Sequence, residues 1–399
     1  MLLSLRVLSV CLAIALCSVP LAAATPCELG DGPAATLLLP YFEVDLADPD
    51  GVTTLMSINN AQAEPTVAHV TLWTDYGVPT VDFHLYLTGF DVVTLNLRDV
   101  FIGGDLPITA DAGTDPDDEI SPSPLDAWDA PIESCSNFFP YSVSVIPGPL
   151  LQRLSDGHTG QPSAFDDGLC LGHDHGDEVA RGYVTVDNVN RCELAFPSDA
   201  GYFADGGSGV ASNVNQLWGD YYLVEPGDAF AQGDTLVHIE AFDGVGEGGA
   251  WQEGNATFYA SLVDDSAVDN REPLPNAFAA RFVDVDGFDS ETSFLVWRGT
   301  PGPVEPVECV PGPSWYPQLH GQVVAFDEQE TPADLCIGCP VCSPPIPART
   351  CLPLATQRVG LGTLAQLFAA PFDSGWVLFN LDAEATVGRH ECGDPSLTR

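Results

Sequence analysis

The chain has 399 residues, with 57 acidic and 12 basic side chains, a formal net charge of −45, and arginine at every basic position. No basic patch is available to replace phosphate counterions, which excludes nucleic-acid binding, and an anionic membrane surface would repel the protein. A hydrophobic content of 45% excludes a disordered chain and supplies a sizeable core.

Residues 1–24 read as a signal peptide. Arg6 is a short positive n-region, Val7 to Leu16 an apolar h-region, and Ala22-Ala23-Ala24 a small-residue cleavage site, so the mature chain is expected to start at Thr25. No later stretch is apolar for the length a membrane helix needs, and no membrane insertion is expected after cleavage. The expected location is the cell surface, the periplasm or the medium.

Period-two alternation then dominates. Val81, Phe83, Leu85 and Leu87 share one face, and Asp82, His84 and Tyr86 the other. Strands are expected at Thr54 to Ile58, Thr66 to Trp73, Val93 to Leu97, Gly182 to Val186, Asp220 to Val224 and Thr235 to Ala241. Further strands are expected at Thr257 to Val263, Ala277 to Val283, Phe294 to Arg298, Gln322 to Phe326 and Trp376 to Leu381. Alternation of this kind predicts antiparallel sheets with one buried side. Between Ile102 and Glu178 the pattern breaks, and an acidic loop insertion is expected, partly ordered by Cys135 and Cys170. The helix candidate is Thr363 to Ala370, stopped by Pro371. The 34 Pro and 38 Gly oppose long helices elsewhere. The expected fold is all-β: two disulfide-stabilised, immunoglobulin-like β-sandwich units. The first spans 25–241 with its insertion at about 102–178, and the second spans 242–399.

Ten cysteines follow the signal peptide: Cys27, Cys135, Cys170, Cys192, Cys309, Cys336, Cys339, Cys342, Cys351 and Cys392. In an exported chain an even count reads as disulfides. Cys336, Cys339 and Cys342 also have a C-x₂-C-x₂-C spacing, but the fourth thiolate and the Pro-rich setting do not suit a cluster. The two halves are expected to close separately, Cys135 with Cys170 and the 336–351 group with Cys309, while Cys27 with Cys392 ties the termini together.

Two segments offer metal donors. Asp284, Asp286, Asp289 and Glu291 surround a glycine and supply the oxygen ligands Ca²⁺ takes. The plainer reading is an acidic turn. His173, His175 and Asp177 project the same way from an extended segment, with His158 as a further donor, and imidazole suits Zn²⁺ or Cu²⁺. The plainer reading there is a solvated loop. No nucleophile elbow occurs, and Trp and Tyr scattered along the strands suit either a sugar-binding face or sheet packing.

Thr66 to Trp73 with Phe83 to Asp99, Leu217 to Val224, and Gly233 to Glu240 together resemble uncharacterised exported, β-rich bacterial proteins. The resemblance implies export and β-structure and carries no activity. The expected function is a non-enzymatic binding or structural protein, assisted by Ca²⁺, whose partner is an extracellular protein or glycan. The alternative is an extracellular hydrolase acting on carbohydrate through a carboxylate pair.

Overall fold

The computed structural model describes residues 32–109, 135, 137–242, 257–263, 269–283, 292–299, 305–309, 323–334, 354–360 and 373–381. The protein is mostly antiparallel sheet. Strands β1 (Thr36–Asp45), β2 (Thr53–Asn60), β3 (Thr66–Thr74), β4 (Pro79–Leu87) and β5 (Val92–Asn96) come first. Helix α1 (Gly148–Thr159) precedes β6 (Val179–Val189), β7 (Leu217–Trp218), β8 (Asp220–Glu225), β9 (Phe230–Thr235) and β10 (Val237–Ile239). Then follow β11 (Ala277–Val283), β12 (Ser293–Trp297), β13 (Val323–Asp327), β14 (Pro332–Asp334), β15 (Thr356–Gly360) and β16 (Ser374–Asn380).

The first sheet has the order β10-β1-β6-β3-β4, and the second β5-β2-β8-β9 with β7 beside β2. They bury one apolar cluster between them. Leu37, Val70, Leu72, Phe83, Leu85, Val184 and Val186 enter it from the first sheet, and Met56, Ile58, Val93, Leu95, Tyr221 and Leu223 from the second. The second sheet behaves as alternation predicts, for Leu55, Val92 and Tyr222 on its other face are exposed.

The first sheet does not. Every residue of β3 is buried, on both faces. Its far side packs Leu38, Val67, Trp73, Tyr86 and Tyr183 under a cover that includes Tyr202, Phe203, Phe258 and Tyr259. A sheet buried on both faces loses the alternation signal where both sides become apolar, and β1 (TLLLPYFEVD) carries no such signal for this reason. One extra residue between Leu39 and Phe42 bulges this strand and accommodates Pro40.

Several expectations are corrected. Thr257 to Val263 forms turns, not a strand, and serves as part of the cover. Within the described part of the 102–178 insertion, Leu106, Ile146 and Leu154 are buried in the main cluster and α1 packs on β4 and β6, whereas 173–178 are exposed. This helix is legible in hindsight, with Pro149 in its first turn and Gly160 as its left-handed C-cap (φ 72°). The expected helix at 363–370 lies outside the described residues.

The disulfides also differ from expectation. Cys135 bonds Cys192, and Cys170 bonds Cys309. The first clamps the cover over the first sheet, where Cys135 and Cys192 sit in its cluster. The second crosses the expected unit boundary, because Cys170 and Val307 also form a β-bridge. Sequence spacing carries no information on which thiols a tertiary fold brings together. Cys27, Cys336, Cys339, Cys342, Cys351 and Cys392 lie outside the described residues.

Past residue 242, β11-β16-β13-β14 form one sheet and β12-β15 a pair. They share a cluster of Phe282, Val296, Val323, Ala325, Val359, Val377 and Phe379. The β12-β15 pair rests on β1, where Arg358 meets Glu43 at 3.3 Å and Thr356 Oγ1 donates to the Pro40 carbonyl. No helix among the described residues is long and apolar enough to cross a membrane.

Candidate functional site

Register places a row of polar residues across the covered face of the first sheet. His69 on β3 lies opposite His84 on β4 and Asp187 on β6, and Asp187 lies opposite Thr36 on β1. One step along the same face, Thr71 lies opposite Asp82 and Thr185. Period two guarantees that these rows point the same way.

Their side chains form a connected network. His69 Nδ1 meets the Tyr202 hydroxyl at 2.9 Å, and Tyr202 donates to Asp187 Oδ2 at 2.7 Å. The Tyr259 hydroxyl donates to the same oxygen at 3.1 Å, and Thr36 Oγ1 donates to Asp187 Oδ1. Arg271 Nε donates to Thr36 Oγ1 and stands 3.4 Å from Asp187, while its Nη1 is 3.8 Å from Asp269. Arg271 is fully buried, as is Asp269, and its guanidinium lies over the Phe203 ring at 4.9 Å. Burial alone would favour losing the Arg271 proton, but Asp187 and Asp269 outweigh it and raise its pKa. Burial and the Asp187 charge push the Tyr202 and Tyr259 hydroxyls well above their usual range, so both remain donors.

At the other end of the row, His69 Nε2 stands 3.1 Å from Asp82 Oδ2. The rings of His69 and His84 stack at 4.6 Å and 14°. One ligand atom from each of His69, Asp82 and His84 lies within 4.8 Å of the other two. Burial, then the neighbouring His69, pushes the His84 pKa down to about 2.

Tyr259 also lines a small cleft with Trp73, Tyr183, Thr185, Phe258, Ser261, Leu262, Trp297 and Gly299. Trp73 and Tyr183 lie parallel at 5.7 Å, and Phe258 stacks on Trp297 at 5.2 Å. Trp73 Nε1 donates to Thr185 Oγ1 at 2.8 Å. Three segments distant in sequence meet here: the first sheet, the 257–263 turns and the end of β12.

The metal donors expected from sequence have other surroundings. His175 Nε2 contacts Asp75 Oδ2 at 2.9 Å, and the His173 N–H donates to Asp75 Oδ1 at 2.9 Å. The two rings meet edge-on at 4.7 Å. Asp177 accepts two hydrogen bonds from Arg181, at 2.7 and 2.9 Å, a bidentate pair that holds its pKa down. His158 is buried between Thr80 Oγ1 and the Arg181 carbonyl, and burial lowers its pKa to about 4. It takes its place in the core, away from any shared site with His173. Asp284, Asp286, Asp289 and Glu291 lie outside the described residues. The Asp82–His84 half of the histidine cluster was legible as an i, i+2 pair on one strand face. His69 joins it only through strand register.

No protein-family model, curated protein or solved structure matches this chain.

Proposed function

We propose that the chain is an exported, non-enzymatic binding or structural protein of the cell surface, periplasm or medium, built of two immunoglobulin-like β-sandwich units. Its partner is an extracellular glycan or protein, held at the Trp73–Tyr183–Trp297 cleft. The observation that carries this reading is the part-exposed rim of the cleft, where the Trp297 ring stands beside Ser261, Leu262 and Gly299. Such a surface holds a ligand by stacking and a few hydrogen bonds.

The carboxylates nearest the cleft serve a different end. Asp187 and Asp269 are fully enclosed and compensated by Arg271, so neither has the access to water and substrate that glycoside hydrolysis requires. Many surface acids cap turns: Asp45, Asp91, Asp174, Asp199 and Asp327 each accept from nearby backbone N–H groups. Two disulfides suit an oxidising exterior. Ca²⁺ assistance rests on the 284–291 acids alone.

The test is a glycan and peptide array probed with the mature chain, followed by titration of the best binder against tryptophan fluorescence. Saturable quenching is expected, with affinity weakened about tenfold or more in Trp297→Ala. Release of reducing sugar from any glycan on the array would overturn the non-enzymatic reading in favour of the hydrolase.

A further inference from the structure

We propose that His69, Asp82 and His84 bind a zinc-class divalent metal ion on the covered face of the first sheet, with two imidazole nitrogens and one carboxylate oxygen as ligands. The argument begins with protons. The Tyr202 hydroxyl has one proton and directs it to Asp187, which also receives Thr36 and Tyr259. The Tyr202 oxygen therefore accepts the Nδ1–H of His69 at 2.9 Å. With Nδ1 directed at Tyr202, Nε2 faces the Asp82 carboxylate at 3.1 Å, two atoms of the kind that share a cation. A positive species belongs between them.

A proton or a metal ion would each meet that need. His84 decides for the metal. Its side chain is fully buried, its Nδ1 has no hydrogen-bond partner, and its Nε2 has only a long 3.4 Å contact from the Glu193 N–H. A proton between His69 and Asp82 does nothing for this ring, whereas an ion shared by the three residues takes the Nδ1 lone pair of the tautomer that carries its proton on Nε2, in exchange for the long Glu193 contact. Thr71 Oγ1, opposite Asp82 in register, is a second buried polar atom with no partner beside the same position.

The dimensions agree. Metal–ligand bonds of ~2.0–2.1 Å in a tetrahedron put ligand atoms ~3.3 Å apart, close to the His69–Asp82 separation. His84 needs to close from within 4.8 Å, which side-chain rotation supplies. Nitrogen-rich donors disfavour Ca²⁺ and Mg²⁺ and suit Zn²⁺ and its neighbours. The hydrogen bond from His69 through Tyr202 to Asp187 is the outer support that orients a ligating imidazole. Asp82, 14% exposed, is the side from which an ion and a completing water would enter.

The experiment uses the folded, disulfide-intact mature chain after chelator treatment. ZnCl₂ is titrated by calorimetry, and CoCl₂ by visible absorption. One ion per chain is expected, with cobalt d–d bands, no thiolate charge-transfer band, and a zinc-dependent rise in Tm. Asp82→Asn and His84→Gln should each weaken binding more than about 100-fold, and Tyr202→Phe, which keeps all three ligands, by about 10–100-fold. A double His173→Ala, His175→Ala variant should bind as the parent does. The proposal is overturned if the parent binds neither metal, if a thiolate band appears, or if only the His173/His175 variant loses binding. Should Asp82→Asn and His84→Gln fail to fold by circular dichroism, the parent Tm rise and Tyr202→Phe decide: an unchanged Tm or unchanged Tyr202→Phe affinity overturns it.

Discussion

The two faces of the first sheet solve the same problem by opposite means. On the inner face, Ala68, Val70 and Leu72 of β3 enter an apolar layer shared with the second sheet. On the outer face, Val67 and Trp73 flank His69 and Thr71; Tyr202 and Asp82 hold the His69 ring, while Thr71 Oγ1 has no hydrogen-bond partner. Apolar contacts tolerate approximate geometry, since burial is non-directional. A buried ion network does not, because each unpaired group costs its full desolvation. The inner face therefore supplies stability and the outer face a single arrangement, clamped by Cys135–Cys192.

Substitutions can break this contrast, beginning with the largest effect. Arg271→Ala leaves Asp187 and Asp269 buried without their cation and should cost about 3–5 kcal/mol in denaturant unfolding. A loss below 1 kcal/mol would mean that the outer network is not closed to water. Leu72→Ala, pointing the other way from the neighbouring residue, should cost about 3 kcal/mol with the outer network intact, readable as retained near-ultraviolet signals from Tyr202 and Tyr259. Replacing Cys135 and Cys192 together by Ser should cost roughly 2–4 kcal/mol and raise amide exchange in the 192–211 cover selectively. Uniform exchange across both faces would show that the clamp is not local.

A pH dependence sharpens the contrast further. Burial, helped by the Glu240 charge, lifts the Glu272 pKa from 4.5 to about 7. The folded state holds this proton more tightly than the unfolded chain. Its stabilising contribution is complete below about pH 4.5 and lost as pH rises through about 7. Glu272→Gln should flatten that decline, by on the order of 1 kcal/mol between pH 5 and 8; an identical slope in both proteins would contradict it. The smallest effect is expected at the exposed Arg281–Glu328 pair, 3.2 Å apart, where Arg281→Ala should change stability by less than about 1 kcal/mol.

Much of the sheet was legible from alternation alone: β2 to β5, β6, β8 and β11 to β13 lie where apolar and polar residues take turns. Five of the described strands escaped, β1, β7, β9, β14 and β15, two of them for opposite reasons. β1 is buried on both sides, and all six residues of β9 are exposed, so neither alternates. The candidate site was legible only in part. Asp82 and His84 were visible as neighbours on one face, and that face read as solvated. The cover that encloses it comes from Cys135, 137–141, 192–211 and 257–263, and no local pattern announces a tertiary lid. The surface donors His173, His175 and Asp177 were conspicuous through their spacing, yet Asp177 is taken up by Arg181, His175 by Asp75, and the His173 ring meets the Tyr76 hydroxyl.

By itself, the sequence determined the β-class, the strand positions where one side is apolar, the acidic and lysine-free surface, and the reliance on disulfides. These depend on composition and short-range periodicity, which are local properties. The tertiary structure alone decided that the outer face of the first sheet is dry, that Cys135 meets Cys192 and Cys170 meets Cys309, and that His69 stands beside Asp82 and His84. Those outcomes depend on strand register and on closing long loops, and contacts between residues far apart in the chain leave no periodic trace in it.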